Sequence, residues 1–290
     1  MKVLVYGARG WIGSTAIECL RTKYPFVEIV ASKLRVDNIE DVQAELDEIK
    51  PDRVLCAIGR TNGTYEGKHI PTIDYLEKPG KLRENIRDNL FAPVSLALQC
   101  KQRGIHLTYL GTGCIFTYSQ TQKVFTEKDT PNFYDSSYST VKGFTDSLMK
   151  QFDNVLNLRI RMPISFEVHP RNLIIKLVGY SKICSIPNSM TVFDDLIPIL
   201  CKAMVEGVTG TFNFVNPGNI THQEILEMYK EIINPEHKYE LVDYDTQMKF
   251  LAAGRSNNEL STDKLTAKFG PIPHIKEAVR NCLGLMHLYS

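Results

Sequence analysis

Tyr138-Ser139-Thr140-Val141-Lys142 sets a phenol and an amine one helical turn apart, so both side chains share one face. A free tyrosine titrates near ~10 and is a poor acid–base group at neutral pH. A lysine one turn away favours the phenolate and pulls that group toward the working range. A second set of residues suits phosphate. Gly7-Ala8-Arg9-Gly10-Trp11-Ile12-Gly13 spaces its glycines as GxxGxxG. Glycine permits a sharp turn, lets backbone approach a pyrophosphate and packs a helix tightly on a strand. The helix N-terminus then offers free N–H groups. Chance YxxxK pairs are common and a glycine-rich turn can be only a turn, so context decides both.

That context is regular. Lys2-Val3-Leu4-Val5-Tyr6 reads as a buried strand ending at the first glycine, and Trp11 to Thr22 as a helix. The alternation continues with a strand over Phe26 to Ala31, a helix over Asp41 to Ile49 and a strand over Arg53 to Ile58. A helix over Leu90 to Arg103, stopped by Gly104, precedes a strand over His106 to Leu110. Strand and helix in turn predict a parallel sheet with crossover helices, an α/β fold holding to about Pro163. Beyond it the pattern is mixed, with no linker, so the second region is integrated with the first.

The 290 residues allow two domains or one large one, at about 150 residues per domain. Apolar residues make up 43% and charged residues 23%, which supports a real core and excludes fibrous and disordered classes. A net charge of +1 gives no bulk case for a nucleic-acid or membrane partner. Seven scattered cysteines without a CxxC pair read as reduced thiols in a cytosol-like compartment, and the scattered histidines suggest no metal site. The first strand begins almost at Met1, leaving no room for a leader. The uncharged run Gly207 to Gln223 is broken by Pro217, so a cytoplasmic location is expected.

The end of the second strand chooses the nicotinamide cofactor, because an acid there would accept from a ribose 2′-OH. Here Ser32, Lys33 and Arg35 offer one hydroxyl and two cations, with Asp37 beyond the expected turn. Cations pair with a 2′-phosphate, so NADPH is expected. The expected cofactor side comprises Gly7, Gly10, Trp11, Ile12 and Gly13, with Ala57, Gly59 and Asn89 behind them. Tyr138 and Lys142 complete it, and Thr112 stands where it can hydrogen-bond the carbonyl that Tyr138 protonates.

Together, the glycine loop, Thr112 and Tyr138/Lys142 resemble the extended short-chain dehydrogenase/reductases. That resemblance implies a Rossmann-type doubly wound parallel sheet over 1–163. It also implies a smaller, integrated C-terminal substrate domain over 164–290, of which about 190–216 returns to the first. Many relatives that dehydrate nucleotide sugars carry Thr-Asp-Glu where this chain has Thr112-Gly113-Cys114. A 4,6-dehydratase therefore lacks its acid–base pair here. Asp129-Thr130-Pro131-Asn132-Phe133, Arg159 to Ser165, Pro170-Arg171-Asn172, Ile186 to Thr191 and Gly254 to Leu260 extend the comparison. With them the chain is similar to the nucleotide-rhamnose synthase/epimerase-reductases. The match is poor between Thr61 and Arg83 and loose after Leu265.

The resemblance implies two reactions in one pocket on a nucleotide 4-keto-6-deoxy-D-glucose, the UDP form with dTDP as the alternative. C3 and C5 are inverted through enolate-like intermediates, work the family assigns to the residues matching Cys114 and Lys176. NADPH then reduces the C4 ketone while Tyr138 supplies a proton and Lys142 supports it. Asn172, Asn188 and Arg255 are implied on the substrate side, arginine suiting a diphosphate. Each has a bland rival: Cys114 as a small buried hydrophobe, Lys176 as a surface lysine, the others as turn residues. Two functional alternatives stay open, a reductase acting on an already epimerised 4-keto-L-rhamnose and a non-catalytic NADP-binding regulatory subunit. A separate dehydratase is expected upstream, and a homodimer is the open alternative to a monomer.

Overall fold

Val3 to Tyr6 are all buried, so the strand β1 (Lys2–Tyr6) is covered on both faces, as a central parallel strand must be. The computed structural model describes residues 1–289. After β1 come α1 (Trp11–Lys23), β2 (Glu28–Ala31), α2 (Ile39–Ile49) and β3 (Arg53–Cys56). Asn38 caps α2 by accepting from the Asp41 N–H, and Glu40 and Asp41 suit its dipole. No side chain caps α1, whose first N–H groups stay available. A hairpin, β4 (Gly63–Tyr65) and β5 (Lys68–Ile70), and a 3₁₀ turn over Ile73–Glu77 follow.

The next rod is longer than the sequence pattern predicts. It runs α3 (Leu82–Ile86), a π turn over Arg87–Phe91, and α4 (Ala92–Gln102). The π turn inserts a residue and breaks the 3.6-residue rhythm, which is why periodicity finds only the second half. Then come β6 (His106–Thr112), buried throughout, β7 (Val124–Phe125), α5 (Ser137–Met149) and β8 (Val155–Ile160). Strand β2 begins two residues later than expected, because Phe26 lies exposed ahead of it.

The remaining elements are α6 (Leu173–Val178), β9 (Lys182–Cys184), α7 (Phe193–Val205), β10 (Gly210–Asn213) and α8 (His222–Ile232). They end with β11 (Glu240–Val242), α9 (Tyr244–Met248), β12 (Glu259–Leu260), α10 (Asp263–Phe269) and α11 (Ile275–Tyr289). Six strands form one parallel sheet in the order β10-β8-β6-β3-β1-β2. The chain direction across the sheet reverses between β1 and β3, and a crevice opens above their carboxyl ends there.

Both faces of the sheet are covered. α1 and α7 bury Leu20, Leu196 and Leu200 on one side, and α2 and α4 bury Leu46, Leu96 and Cys100 on the other. A separate core joins Ile174, Ile183, Ile225, Val279 and Leu283 beyond the sheet. The segment Phe193–Asn213 thus leaves that second core and adds a helix and a strand to the sheet. Among the described residues no helix is long and apolar enough to cross a membrane.

One ion pair fixes α5 on this frame. Arg159 of β8, fully buried, donates through Nε and Nη2 to Asp146 at 2.9 and 2.7 Å. Asn157 adds a third bond to the same carboxylate at 2.8 Å. Breaking a buried pair from one side leaves an uncompensated charge, so Asp146→Ala should cost about 3–5 kcal/mol. Urea unfolding measures this; a loss below about 1 kcal/mol, the range of a solvated pair, would show that water already reaches Arg159.

Candidate active site

Gly7 turns with φ +84°, and a Cβ on it would lie 2.6 Å from the Ala57 carbonyl oxygen. A Cβ on Gly13 would lie 2.3 Å from the Gly7 oxygen, so no side chain fits either position. Gly10 donates to that same oxygen at 2.9 Å. The result is a backbone cradle at an uncapped helix start, the geometry a dinucleotide pyrophosphate requires. Trp11 stacks on His169 with centroids 4.7 Å apart and leans on Phe193 at 4.6 Å. Gly10, Trp11, Ile12, Ala57, Gly59 and Asn89 line one cleft of about 840 Å³.

Asn89 works through the loop it holds. Its Oδ1 accepts from the Arg60 N–H at 2.8 Å, and its Nδ2 donates to the Arg60 carbonyl at 2.8 Å. The π turn that carries Asn89 also carries Arg87 and Asp88. Arg35, Arg60 and Arg87 all pair with Asp88, at 3.3, 2.8 and 2.7 Å. Arg35 also meets Asp37 at 3.1 Å, so that acid is not remote, as the sequence suggested, but is held against the cation. The Arg35 hydrogen bond keeps the Asp37 carboxyl below its usual range. Burial opposes the same effect at Asp88, and Arg87 and Arg60 overcome it. Three guanidiniums therefore face two carboxylates, with positive charge in excess. Ser32 donates to Glu45 at 2.8 Å and accepts from the Leu34 N–H, while Lys33 stands at the surface. Arg60 and Arg87 escaped the sequence reading because only the fold brings them to Arg35.

Thr112 closes β6, and its Oγ1 accepts from the Cys114 N–H at 3.1 Å. Tyr138 lies against the same two residues. Burial raises its pKa, the neighbouring Cys114 adds to the rise, and a hydrogen bond with Thr112 opposes it. Lys142 opens on the cleft from the same face of α5 but is bound elsewhere than its spacing suggests. Its Nζ donates to the Tyr109 hydroxyl and to the Leu110 carbonyl, the latter at 3.2 Å. A buried ammonium needs acceptors, and β6 supplies them. Burial brings Lys142 down to about 8. Tyr109, three residues before Thr112, is the member of this group that the sequence reading missed.

Lys176 lines the same cleft from α6, its backbone bonded within the helix and its amine in no ion pair with any described residue. Burial lowers its pKa, and Arg171 and Arg255 lower it further. Cys114, Lys176, Arg171 and Arg255 thus share one cleft with Thr112, Tyr138 and Lys142. Asn188 reaches its wall, but its side chain is committed to Ile186, Asn257 and Asn258. Asn172 does not reach it. Fully buried, it caps α6 by accepting from Ile174 and donates to the Ser165 and Glu167 carbonyls at 2.6 and 2.9 Å.

A doubly wound sheet with a glycine cradle at its switch point, and a Thr–Tyr–Lys set in the adjoining cleft, defines an extended short-chain dehydrogenase/reductase. The chain is also similar to particular enzymes. The crystal structure of a UDP-rhamnose synthase from Acanthamoeba polyphaga mimivirus superposes with a TM-score of 0.93 at 48% identity, covering 98% of this chain and 99% of that one. A bifunctional dTDP-4-dehydrorhamnose 3,5-epimerase/dTDP-4-dehydrorhamnose reductase of Arabidopsis thaliana is 36% identical over 282 residues, 95% of this chain and 90% of that protein. A trifunctional UDP-glucose 4,6-dehydratase/UDP-4-keto-6-deoxy-D-glucose 3,5-epimerase/UDP-4-keto-L-rhamnose-reductase of the same plant is 37% identical over 285 residues. The match covers 96% of this chain but 41% of that longer protein. No family model matches the chain. It belongs to the nucleotide-rhamnose synthase/epimerase-reductase family.

The buried Lys142 has a consequence for stability. Its folded pKa of about 8 lies below its unfolded value of about 10.4. Between these the unfolded chain binds more protons, so this residue makes stability rise with pH. The gap between wild type and Lys142→Met should therefore change by about 3 kcal/mol from pH 7.5 to 10.5. Denaturant midpoints across that range check it; a constant gap would show that Lys142 titrates normally.

Proposed function

We propose that this chain converts UDP-4-keto-6-deoxy-D-glucose to UDP-L-rhamnose, inverting C3 and C5 and then reducing the C4 ketone. The observation that carries this reading is the presence of Cys114 and Lys176 in the same cleft as Thr112, Tyr138 and Lys142. A reductase alone needs only the last three. C3 and C5 are both α to the ketone, so their protons are acidic enough for a positioned base. Cys114 and Lys176 stand on different elements, and the reading gives one the removal and the other the return of the proton. A lysine held below its usual range is the better suited to exchange a proton near neutrality. Thr112 and Tyr138 hydrogen-bond the C4 oxygen and stabilise the charge that gathers there. Tyr138 later gives that oxygen its proton.

The glycine cradle fits NADPH, and the Arg35, Arg60 and Arg87 cluster with Lys33 is suited to its 2′-phosphate. When bound, the cofactor supplies the hydride for C4. The substrate comes from a separate 4,6-dehydratase in this reading, because position 113 admits no acid. A Cβ there would lie 2.5 Å from Leu260 and 2.8 Å from Arg161. A homodimer is also part of the reading. Leu82, Ile86, Phe91 and Leu98 are exposed along α3–α4 beside exposed Phe144 and Leu148 of α5. Such a two-helix face can pair with its own copy about a two-fold axis.

The deciding experiment incubates the protein with the 4-keto sugar and NADPH in D₂O. UDP-L-rhamnose deuterated at C3 and C5 is expected, and Cys114→Ala should lose that label while still binding NADPH. Turnover only after a separate 3,5-epimerase is added would leave a reductase. Removing Lys33 and Arg35 together should weaken NADPH at least tenfold more than NADH, the weight of one good phosphate contact at about 1.4 kcal/mol. Equal losses would place the 2′-phosphate elsewhere.

A further inference from the structure

Among the described residues, Asp74 is the carboxylate that lines the cleft, and it accepts four hydrogen bonds. Its Oδ1 accepts from the Ala252 and Ala253 N–H groups at 2.8 and 2.9 Å. Its Oδ2 accepts from Thr72 and from Nη2 of Arg255. Burial opposes its ionisation, but the bonds from Thr72, Ala253 and Arg255 hold it below the usual carboxylate range. Three of these donors, Ala252, Ala253 and Arg255, lie in a strap, residues 252–258, whose Arg255, Ser256 and Asn257 line the cleft.

The strap is fastened at both ends. At one end Arg161 donates to the Ser256 and Asn258 carbonyls, and Asn258 donates to the carbonyls of Gly113 and Phe116, on either side of Cys114. At the other end, among the described residues, Asp74 and Asp135 hold it. Gly254 donates to the Asp135 carbonyl at 2.9 Å, so close that a Cβ on Gly254 would lie 2.5 Å from that oxygen. Between these anchors Arg255 faces the cleft, one guanidinium nitrogen on Asp74 and another on the Ala253 carbonyl at 2.7 Å. The same 3₁₀ turn also touches the start of α5, where Glu77 accepts from the Ser137 N–H at 2.7 Å. One short turn therefore sets both the arginine and the helix of Tyr138.

Charge makes this arrangement asymmetric. Arg171, Lys176 and Arg255 bring three cations to this end of the cleft, and Asp74 is the carboxylate paired with one of them. A carboxylate on Nη2 and a carbonyl on Nη1 together fix the plane of the Arg255 guanidinium and leave its Nε side to a second anion. We propose that Asp74 is a positioning residue that sets Arg255 for the diphosphate of the nucleotide sugar by fastening the strap across the cleft. This rests on the reading of Arg255 as a diphosphate ligand, and the test separates the two.

UDP, which carries the diphosphate without the reacting sugar, is titrated into the NADPH-loaded protein by calorimetry. Asp74→Asn keeps an acceptor for the strap N–H groups but loses the charge opposite Arg255. Asp74→Asn and Arg255→Ala should each weaken UDP about tenfold, and the double variant should be no weaker than Arg255→Ala alone. With the 4-keto sugar, Asp74→Asn should raise KM by the same factor and leave kcat within about twofold. NADPH affinity should not move, and Asp74→Glu should recover part of the loss. If Arg255→Ala weakens UDP and Asp74→Asn does not, the positioning role is overturned while Arg255 remains a ligand. Losses that multiply in the double variant overturn it too. If Arg255→Ala has no effect, the ligand reading fails and this proposal with it. Should Asp74→Asn not fold, Thr72→Val removes one bond from the same carboxylate; a severalfold loss of UDP affinity supports the proposal and no loss overturns it.

Discussion

Two arginines that never meet solvent hold this site in register. Arg159 and Arg161 stand two residues apart at the end of β8, on one side of an extended chain, and both are at most 1% exposed. Burying a guanidinium is costly unless every edge finds an acceptor, so the surroundings must be built around each one. Arg159 takes Asp146 of α5, the Thr126 carbonyl and Asn213 of β10. Arg161 has no carboxylate; its Nη1 and Nη2 donate to backbone and amide oxygens of the strap, while its buried Nε has no partner among the described residues. One strand end thus fixes both the helix that carries Tyr138 and Lys142 and the loop that carries Arg255. The two halves of the cleft are registered through β8 as well as through the strap's own bonds to Asp74, Asp135, Gly113 and Phe116.

Much of this was legible in the sequence, for identifiable reasons. The glycine loop and the strand–helix alternation are local patterns, and Gly7 and Gly13 are demanded by contacts across one strand and within a few residues. Tyr138 and Lys142 share a helical face as their spacing requires. What the sequence hid was partnership at long range. Spacing predicts that Lys142 serves Tyr138 directly, yet its amine is taken by Tyr109 and Leu110, more than 30 positions away in the chain. Arg60 and Arg87 join Arg35 because a π turn, invisible to a 3.6-residue rhythm, presents Asp88 to all three.

The asparagines teach the opposite lesson. Polar residues beside an expected site, such as Asn172 and Asn188, invite a ligand-binding reading. The structure spends their amides inside the protein, capping a helix in one case and joining the 186–188 and 257–258 segments in the other. An amide has four hydrogen-bonding sites and can satisfy a whole turn of backbone, a use that needs no ligand.

Trp11 is the single tryptophan in the chain, and it sits at the first turn of α1, against His169 and Phe193. All of the protein's indole emission therefore originates at one spot, beside the glycine cradle. The molecule carries its own optical gauge, and indole emission reads the surroundings of the phosphate loop without any label.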